Sequence, residues 1–251
     1  MNDVFNVIIL KIGESEVPGP EVYRMTEWRK WERLTFHMVI AYNDETNVLI
    51  NTGMPLDLTE RNHEMEKFAG ERALFKSYDS IKILDSSKFK TEDIKNIAFT
   101  PMQDYTTGRL DEFKNARYFI SRKGWIEDII TPGYHNIKRN LFIPEKQLKY
   151  LIFDAYSRIQ FYESDIPVEL IPGITAVWVG CHHRSSQAFI INTKKGKIVF
   201  TDASFKPRNV NENLPIGIAE NIFECHKAYN YLRRYKNVLS AYDPGISDKK
   251  F

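Results

Sequence analysis

A chain of 251 residues is long enough to bury a sizeable core, as one large domain or two intimate halves. Its 43% hydrophobic and 27% charged residues are ordinary for a globular protein, and a formal charge of +2 leaves no electrostatic footprint for nucleic acid or a polybasic membrane contact. Apolar runs such as Val7-Ile8-Ile9-Leu10 are too short to span a bilayer, and Met1-Asn2-Asp3 opens without the basic start of a secretory signal.

Residues 4–12 predict a first strand, closed by Gly13 and the Pro18-Gly19-Pro20 cluster. Residues 25–31 are aromatic and charged without a period. Residues 34–42 and 47–51 predict a hairpin around Asn43-Asp44-Glu45-Thr46, and the turn Thr52-Gly53-Met54-Pro55 follows. The polar tract 58–76 is irregular or partly helical. Thr91-Glu92-Asp93 begins one short helical turn. The apolar run Ile97-Ala98-Phe99 then reads as a buried strand that opens into the loop Thr100-Pro101-Met102-Gln103-Asp104-Tyr105-Thr106-Thr107-Gly108. Loops held at the ends of a rigid sheet are where sites tend to be built.

A strand at 117–121 comes next. Pro144-Glu145 then starts a helix on which Leu148, Leu151, Ile152, Ala155 and Ile159 share one apolar face. Short strands are expected at 168–171, 174–179, 188–192 and 197–201, the last two joined by Thr193-Lys194-Lys195-Gly196. A second amphipathic helix covers 219–235, with Ile222, Cys225, Tyr229 and Leu232 on one stripe, and a strand at 238–241 closes the pattern. Strands followed by helices, twice over, argue for one layered α/β domain of mixed sheets across 1–251. The two cysteines, Cys181 and Cys225, cannot build a multi-bridge framework, which fits a reducing, cytoplasmic setting.

The loop from Thr100 to Gly108 resembles, without a gap, the signature loop of the metallo-β-lactamase superfamily, Thr-His-x-His-x-Asp-His-x-Gly. Pro101, Gln103, Tyr105 and Thr106 stand where its His, His, Asp and His would be, and Asn51 replaces the Asp of the family's Ile-Asp-Thr-Gly. Pro172-Gly173-Ile174 followed by Val179-Gly180-Cys181-His182-His183-Arg184-Ser185-Ser186-Gln187 is similar to the family's Pro-Gly-His-Thr-Pro-Gly-Ser/His-Gln loop, with His182 at the metal-ligand His. Ile198-Val199-Phe200-Thr201-Asp202-Ala203-Ser204 resembles the strand that delivers the Asp bridging two metal ions, which maps to Asp202. Ala241-Tyr242-Asp243 is similar to the closing Gly-His-Asp of the quorum-quenching lactone hydrolases, with Tyr242 in place of the His. A Tyr that this branch uses near the substrate carbonyl is Phe205 here. The resemblance, which covers residues 34–244, implies an αββα sandwich: two mixed sheets facing each other with helices outside.

Of the family's metal-holding residues only His182 and Asp202 remain, so the usual two-zinc centre is not expected. One alternative is a rebuilt site for a single divalent ion (zinc, iron or manganese) held by His182, Asp202, Gln103 and Tyr242. The other is a His182–Asp202 hydrogen bond beneath a pocket, without metal. The resemblance implies a divergent hydrolase of a small-molecule ester, lactone or amide. In it Asp202 and His182 hold an ion or orient a water, and Tyr105 polarises the carbonyl. A binding protein that keeps the pocket and not the chemistry is the competing reading.

His183, Phe205, Trp178 and Arg208 are the expected substrate-facing residues, and Arg184, Lys206 and Arg208 could hold an anionic group. Cys181 beside two histidines reads as a thiol nucleophile or, more simply, as a small buried hydrophobe. His37, His63, His135 and His226 show no ligand spacing. No Gly-rich phosphate loop is present, so nucleotide use has no support, and the partner that the resemblance implies is a small molecule. An exposed strand edge could support a homo-oligomer.

Overall fold

The computed structural model describes residues 3–131 and 138–251; Met1, Asn2 and His135 lie outside the described residues. Strands β1 (Asn6–Pro18), β2 (Trp31–Tyr42), β3 (Asn47–Ile50), β4 (Lys76–Ser77), β5 (Asn96–Ala98), β6 (Arg117–Ser121) and β7 (Ile159–Tyr162) form a seven-stranded sheet in the order β4-β1-β2-β3-β5-β6-β7. Strands β8 (Val168–Ile171), β9 (Ile174–Trp178), β10 (Gln187–Thr193), β11 (Gly196–Thr201) and β12 (Asn237–Ser240) form a five-stranded sheet in the order β12-β11-β10-β9-β8. Both are mixed. β2 pairs antiparallel with β1 and β3, while β3, β5, β6 and β7 run parallel; in the second sheet only β12 is parallel to its neighbour. Helices flank the two sheets, which gives the expected α/β sandwich.

The pattern of burial follows from this layering. Every residue from Leu34 to Ala41 on β2 is buried, so both faces of the strand are covered. On β8, an edge strand, no residue is fully buried. The predicted hairpin forms in register, Tyr42 opposite Asn47, and the Asn43 side chain accepts the N–H groups of Glu45 and Thr46 at 3.0 and 2.9 Å. Among the described residues no helix is long and apolar enough to cross a membrane.

Several elements depart from expectation. β1 does not stop at Gly13 but runs on to Pro18 through a bulge between Lys11 and Gly13. Glycine fits there because a Cβ would lie 2.7 Å from the Lys76 carbonyl oxygen of the neighbouring strand. The helix after Pro144 is regular only over Glu145–Lys149; Tyr150–Asp154 is a wider π turn, closed by Ala155 N–H donating to Tyr150 O at 2.9 Å. The extra residue rotates Ile152 out to 39% exposure, and Ile159 belongs to β7 instead of the helix. The second helix is shorter than expected, Ile222–Leu232, with Cys225, Tyr229 and Leu232 buried on its inner stripe. The polar tract contains a full helix, Thr59–Ala69, and a further helix at Ser80–Ser86 is capped by Asp79 accepting from Ile81 N.

Candidate functional site

Five connections converge at one end of the sheets: those after β3, β5, β11 and β12, and the one between β9 and β10. Asn51 ties the first two together. It adopts φ +68°, which Asn tolerates better than most residues, and its Oδ1 accepts Thr100 N–H at 3.0 Å. Thr52 N–H and Oγ1 both donate to Thr106 O, at 2.7 and 2.9 Å. Gly108 N–H donates to Gly53 O at 2.9 Å, and a Cβ on Gly108 would fall 2.2 Å from Pro55 N. Close backbone approach therefore explains this glycine. Thr106, at a position where the resembling motif has His, turns its hydroxyl back onto the loop, 2.6 Å from Pro101 O and 2.8 Å from Gln103 O.

Asp202, completely buried, sits beneath the convergence. Ser186 Oγ donates to its Oδ2 at 2.5 Å, Thr100 Oγ1 donates to Oδ1, and His182 Nδ1 lies 3.1 Å from Oδ2. Burial disfavours a charge on either partner of the pair. It pushes Asp202 up to about 6, against the hydrogen bonds from Ser186 and Thr100, and pushes His182 down to about 3. Above that range the pair is a carboxylate and a neutral imidazole whose Nδ1–H donates to it, leaving Nε2 as a lone-pair acceptor.

The raised Asp202 value has a testable consequence. The folded-state pKa exceeds the ordinary 3.8, so the stabilising contribution is complete below about pH 4 and is lost as pH rises through about 6. Asp202→Asn removes this ionisation. Its melting temperature relative to wild type should rise between pH 4.5 and 7.5 by the equivalent of about 2 kcal/mol, roughly 4–8 °C. A difference that stays flat over that interval contradicts a carboxylate held at about 6.

Above the pair opens a cavity of about 480 Å3, lined by Gln103, Tyr105, His182, His183, Phe205 and Tyr242 among others. The Tyr105 and Tyr242 hydroxyls lie 3.2 Å apart, and burial holds both phenols far above their ordinary pKa. Both stay protonated; one O–H is used between them, which leaves the other O–H free to donate. Phe205 packs edge-on to His182 and Tyr242, with ring centroids 4.8 and 4.6 Å away. His183 Nδ1 lies 3.1 Å from Glu220 Oε1, and burial lowers its pKa.

Two expected substrate-facing residues lie elsewhere. Trp178 does not line the cavity: its Nε1–H donates to Arg184 O at 2.7 Å, and its ring is flanked by Lys123 and Arg184. Arg208 does not line it either, being paired with Glu27 and Glu212 and stacked on Tyr23. Sequence proximity to the loops placed both residues; the pleat and the turn after Phe205 point them away. The suggested anion site fails for a related reason. Arg184 is paired with Glu127 and Glu224, and Lys206 Nζ donates to Arg33 O at 2.6 Å. Cys181 is bonded to Cys225 with Cα atoms 4.8 Å apart, so its sulfur is no nucleophile. That bond also removes the inference from cysteine usage to a reducing compartment.

Arg61 and Glu220 also line the cavity and were not among the expected residues. The signal for Arg61 was Asp57 two residues ahead of Thr59, whose side chain accepts Thr59 N–H at 2.9 Å and opens the helix. Arg61 holds Asp104 through Nε, 3.1 Å from each carboxylate oxygen, and through Nη2 at 2.5 Å. Asp104 is thus turned to a guanidinium, and Gln103 Oε1 faces Arg61 Nη2 at 3.4 Å.

These residues do not fit a divalent ion. The Asp202 oxygens are taken up by Thr100, Ser186 and His182 Nδ1, the Gln103 oxygen is turned to a cation, and His182 Nε2 is left as a single ligand. Among the described residues no group of three or more His, Cys, Asp or Glu side chains could hold a metal. The expected mononuclear set of His182, Asp202, Gln103 and Tyr242 shares a neighbourhood without converging as ligands.

No protein-family model and no curated protein matches the chain. Solved structures do. An N-acyl homoserine lactone hydrolase, with the product N-hexanoyl-L-homoserine bound at its catalytic metal center, is similar at a TM-score of 0.78 and 16% identity, covering 96% of this chain and 94% of that one. A probable metal-dependent hydrolase from Staphylococcus aureus aligns at 0.74 and 15%, covering 97% and 91%. The hydrolase AbOPH of the β-lactamase superfamily aligns at 0.67 and 14%, covering 98% and 90%. What these likenesses establish is architecture: the chain has the metallo-β-lactamase fold, shared along almost its whole length with lactone-cleaving and other hydrolases.

Proposed function

We propose that the cavity takes a small molecule with an apolar body and a carbonyl head, and that the protein hydrolyses an ester, lactone or amide of it without a divalent ion. The observation that carries this reading is the Thr59–Ala69 helix. None of its side chains is buried, yet Arg61, Glu64, Met65 and Phe68, spaced i, i+3, i+4 and i+7, line the cavity of about 480 Å3. Helices ordinarily bury such a stripe against protein. Here it faces a space of the size that small-molecule sites have.

In this reading water bonds to the carbonyl carbon as His182 Nε2 takes its proton, and the O–H left free by the Tyr105–Tyr242 pair holds the developing oxyanion. Collapse breaks the bond to the leaving oxygen or nitrogen, and His182 returns the proton to it. Asp202 orients the imidazole and stabilises its protonated form. The test is a screen of aryl esters and lactones with excess chelator present. Turnover well above that of His182→Ala supports the reading; no turnover above that variant leaves a non-catalytic binding protein. A cytoplasmic setting would require Cys181 and Cys225 to persist as adjacent thiols, which alkylation of freshly lysed cells can count.

A further inference from the structure

We infer that Arg61 and Gln103 form a binding corner for a carboxylate, so that the cavity takes an amphipathic monocarboxylate. The inference rests on the cavity being a ligand site, and it does not need hydrolysis. Gln103 is 1% exposed and lines the cavity, and its Nε2 is a buried donor without a hydrogen-bond partner among the described residues. A buried donor left unsatisfied destabilises the site, and a ligand oxygen would recover that loss. The amide cannot simply turn over, because its Oε1 faces the Arg61 guanidinium at 3.4 Å and reversal would set donor against donor.

Arg61 supplies the second donor. Its Nε and Nη2 are used by Asp104, Leu141 O and Gln103, whereas Nη1 makes no hydrogen bond among the described residues. The guanidinium is fixed in place by Asp104 and packs near the rings of Phe75 and Tyr105, at 5.5 and 5.4 Å. Gln103 Nε2 and Arg61 Nη1, on side chains that meet at 3.4 Å, thus each offer an N–H without an acceptor among the described residues, and two such donors suit the two oxygens of one planar anion. The carboxylates that could compete are engaged elsewhere. Glu64 lies near Lys67 and Lys138, at 3.2 and 3.5 Å, and Glu220 lies beside His183. The rest of the lining, with Met65, Phe75, Leu141 and Phe205, suits an aliphatic or aromatic body.

Calorimetric titration of the full, oxidised chain at pH 7.5 with decanoate, decanamide and 1-decanol tests this. Wild type should bind decanoate about tenfold or more tighter than either neutral probe, the difference expected of a charge-assisted over a neutral hydrogen bond. Gln103→Met, which leaves the Arg61–Asp104 pair intact, should reduce that preference. Arg61→Met combined with Asp104→Asn should abolish it without weakening 1-decanol; the pair is changed together so that no buried carboxylate is stranded, and if that protein does not fold Gln103→Met decides. Equal binding of all three probes by wild type, or a preference unchanged in Gln103→Met, overturns the carboxylate corner while the cavity remains a ligand site. Binding of none of the probes overturns both.

Discussion

His182→Ala is expected to lower hydrolysis of a responsive ester or lactone by about 10²–10⁴-fold, the range that a positioned general base contributes. The argument rests on one nitrogen. Nδ1 of His182 is committed to Asp202 at 3.1 Å, so Nε2 is the basic atom left to the cavity that the residue lines. The pH profile should carry the same signature. Because the buried carboxylate titrates at about 6, the rate should fall as pH drops through that value, when the pair gains a proton and the base is lost. Chelators should leave the rate unchanged. A truncated imidazole could also loosen the pocket, so decanoate affinity serves as the control: lost turnover with retained affinity assigns the effect to chemistry. Turnover within a few-fold of wild type in His182→Ala would remove this residue from the reaction.

Replacing the Cys181–Cys225 bond by two serines is expected to cost about 3–4 kcal/mol of stability. The cross-link closes 44 residues of chain, and the loop-entropy model gives about 4 kcal/mol for a loop of that length. For a chain of this size the melting temperature should fall by roughly 8–15 °C. The link ties the segment that carries His182 to the Ile222–Leu232 helix, because Cys181 precedes His182 and Cys225 lies on that helix. The same segment is held by Glu220 N–H and Asn221 N–H donating to Cys181 O, at 2.8 and 3.3 Å. A serine hydroxyl at 181 can donate to Ala203 O, which the disulfide sulfur of Cys181 only approaches at 3.4 Å, so packing is disturbed little. Thermal melts with and without reductant on wild type provide the check: reduced wild type should match the double serine variant. Melts that coincide in all three samples would show that the link contributes nothing.

How far the sequence reached differs from place to place, for physical reasons. The second sheet was legible because β9, β10 and β11 are short apolar runs separated by strong turn residues, and the hairpin at Asn43–Thr46 carried its own side-chain signal. The spacing of the Thr100–Gly108 loop and of the segments around His182, Asp202 and Tyr242 was enough to bring Gln103, Tyr105, Phe205 and Tyr242 to one cavity. What was hidden depended on contacts distant in sequence. Arg61 sits on a helix with no fully buried side chain, so the usual apolar periodicity was absent and the tract looked irregular. The π turn at Tyr150–Asp154 broke a three-and-four spacing that otherwise predicted one continuous helix through Ile159. The partnership of Cys181 with Cys225 required the fold to bring a loop onto a helix. Trp178 and Arg208 failed as pocket residues because adjacency in a motif does not state which way a side chain points.

Metal content per chain, measured by mass spectrometry for zinc, iron and manganese on protein purified without a histidine tag, bears most directly on the idea that a hydrogen-bonded, aromatic pocket has replaced a cation-holding one in this fold. The predicted result is far less than one ion per chain, with no change in His182→Ala or Asp202→Asn. One or two tightly held ions per chain in wild type, absent from both variants, would contradict it.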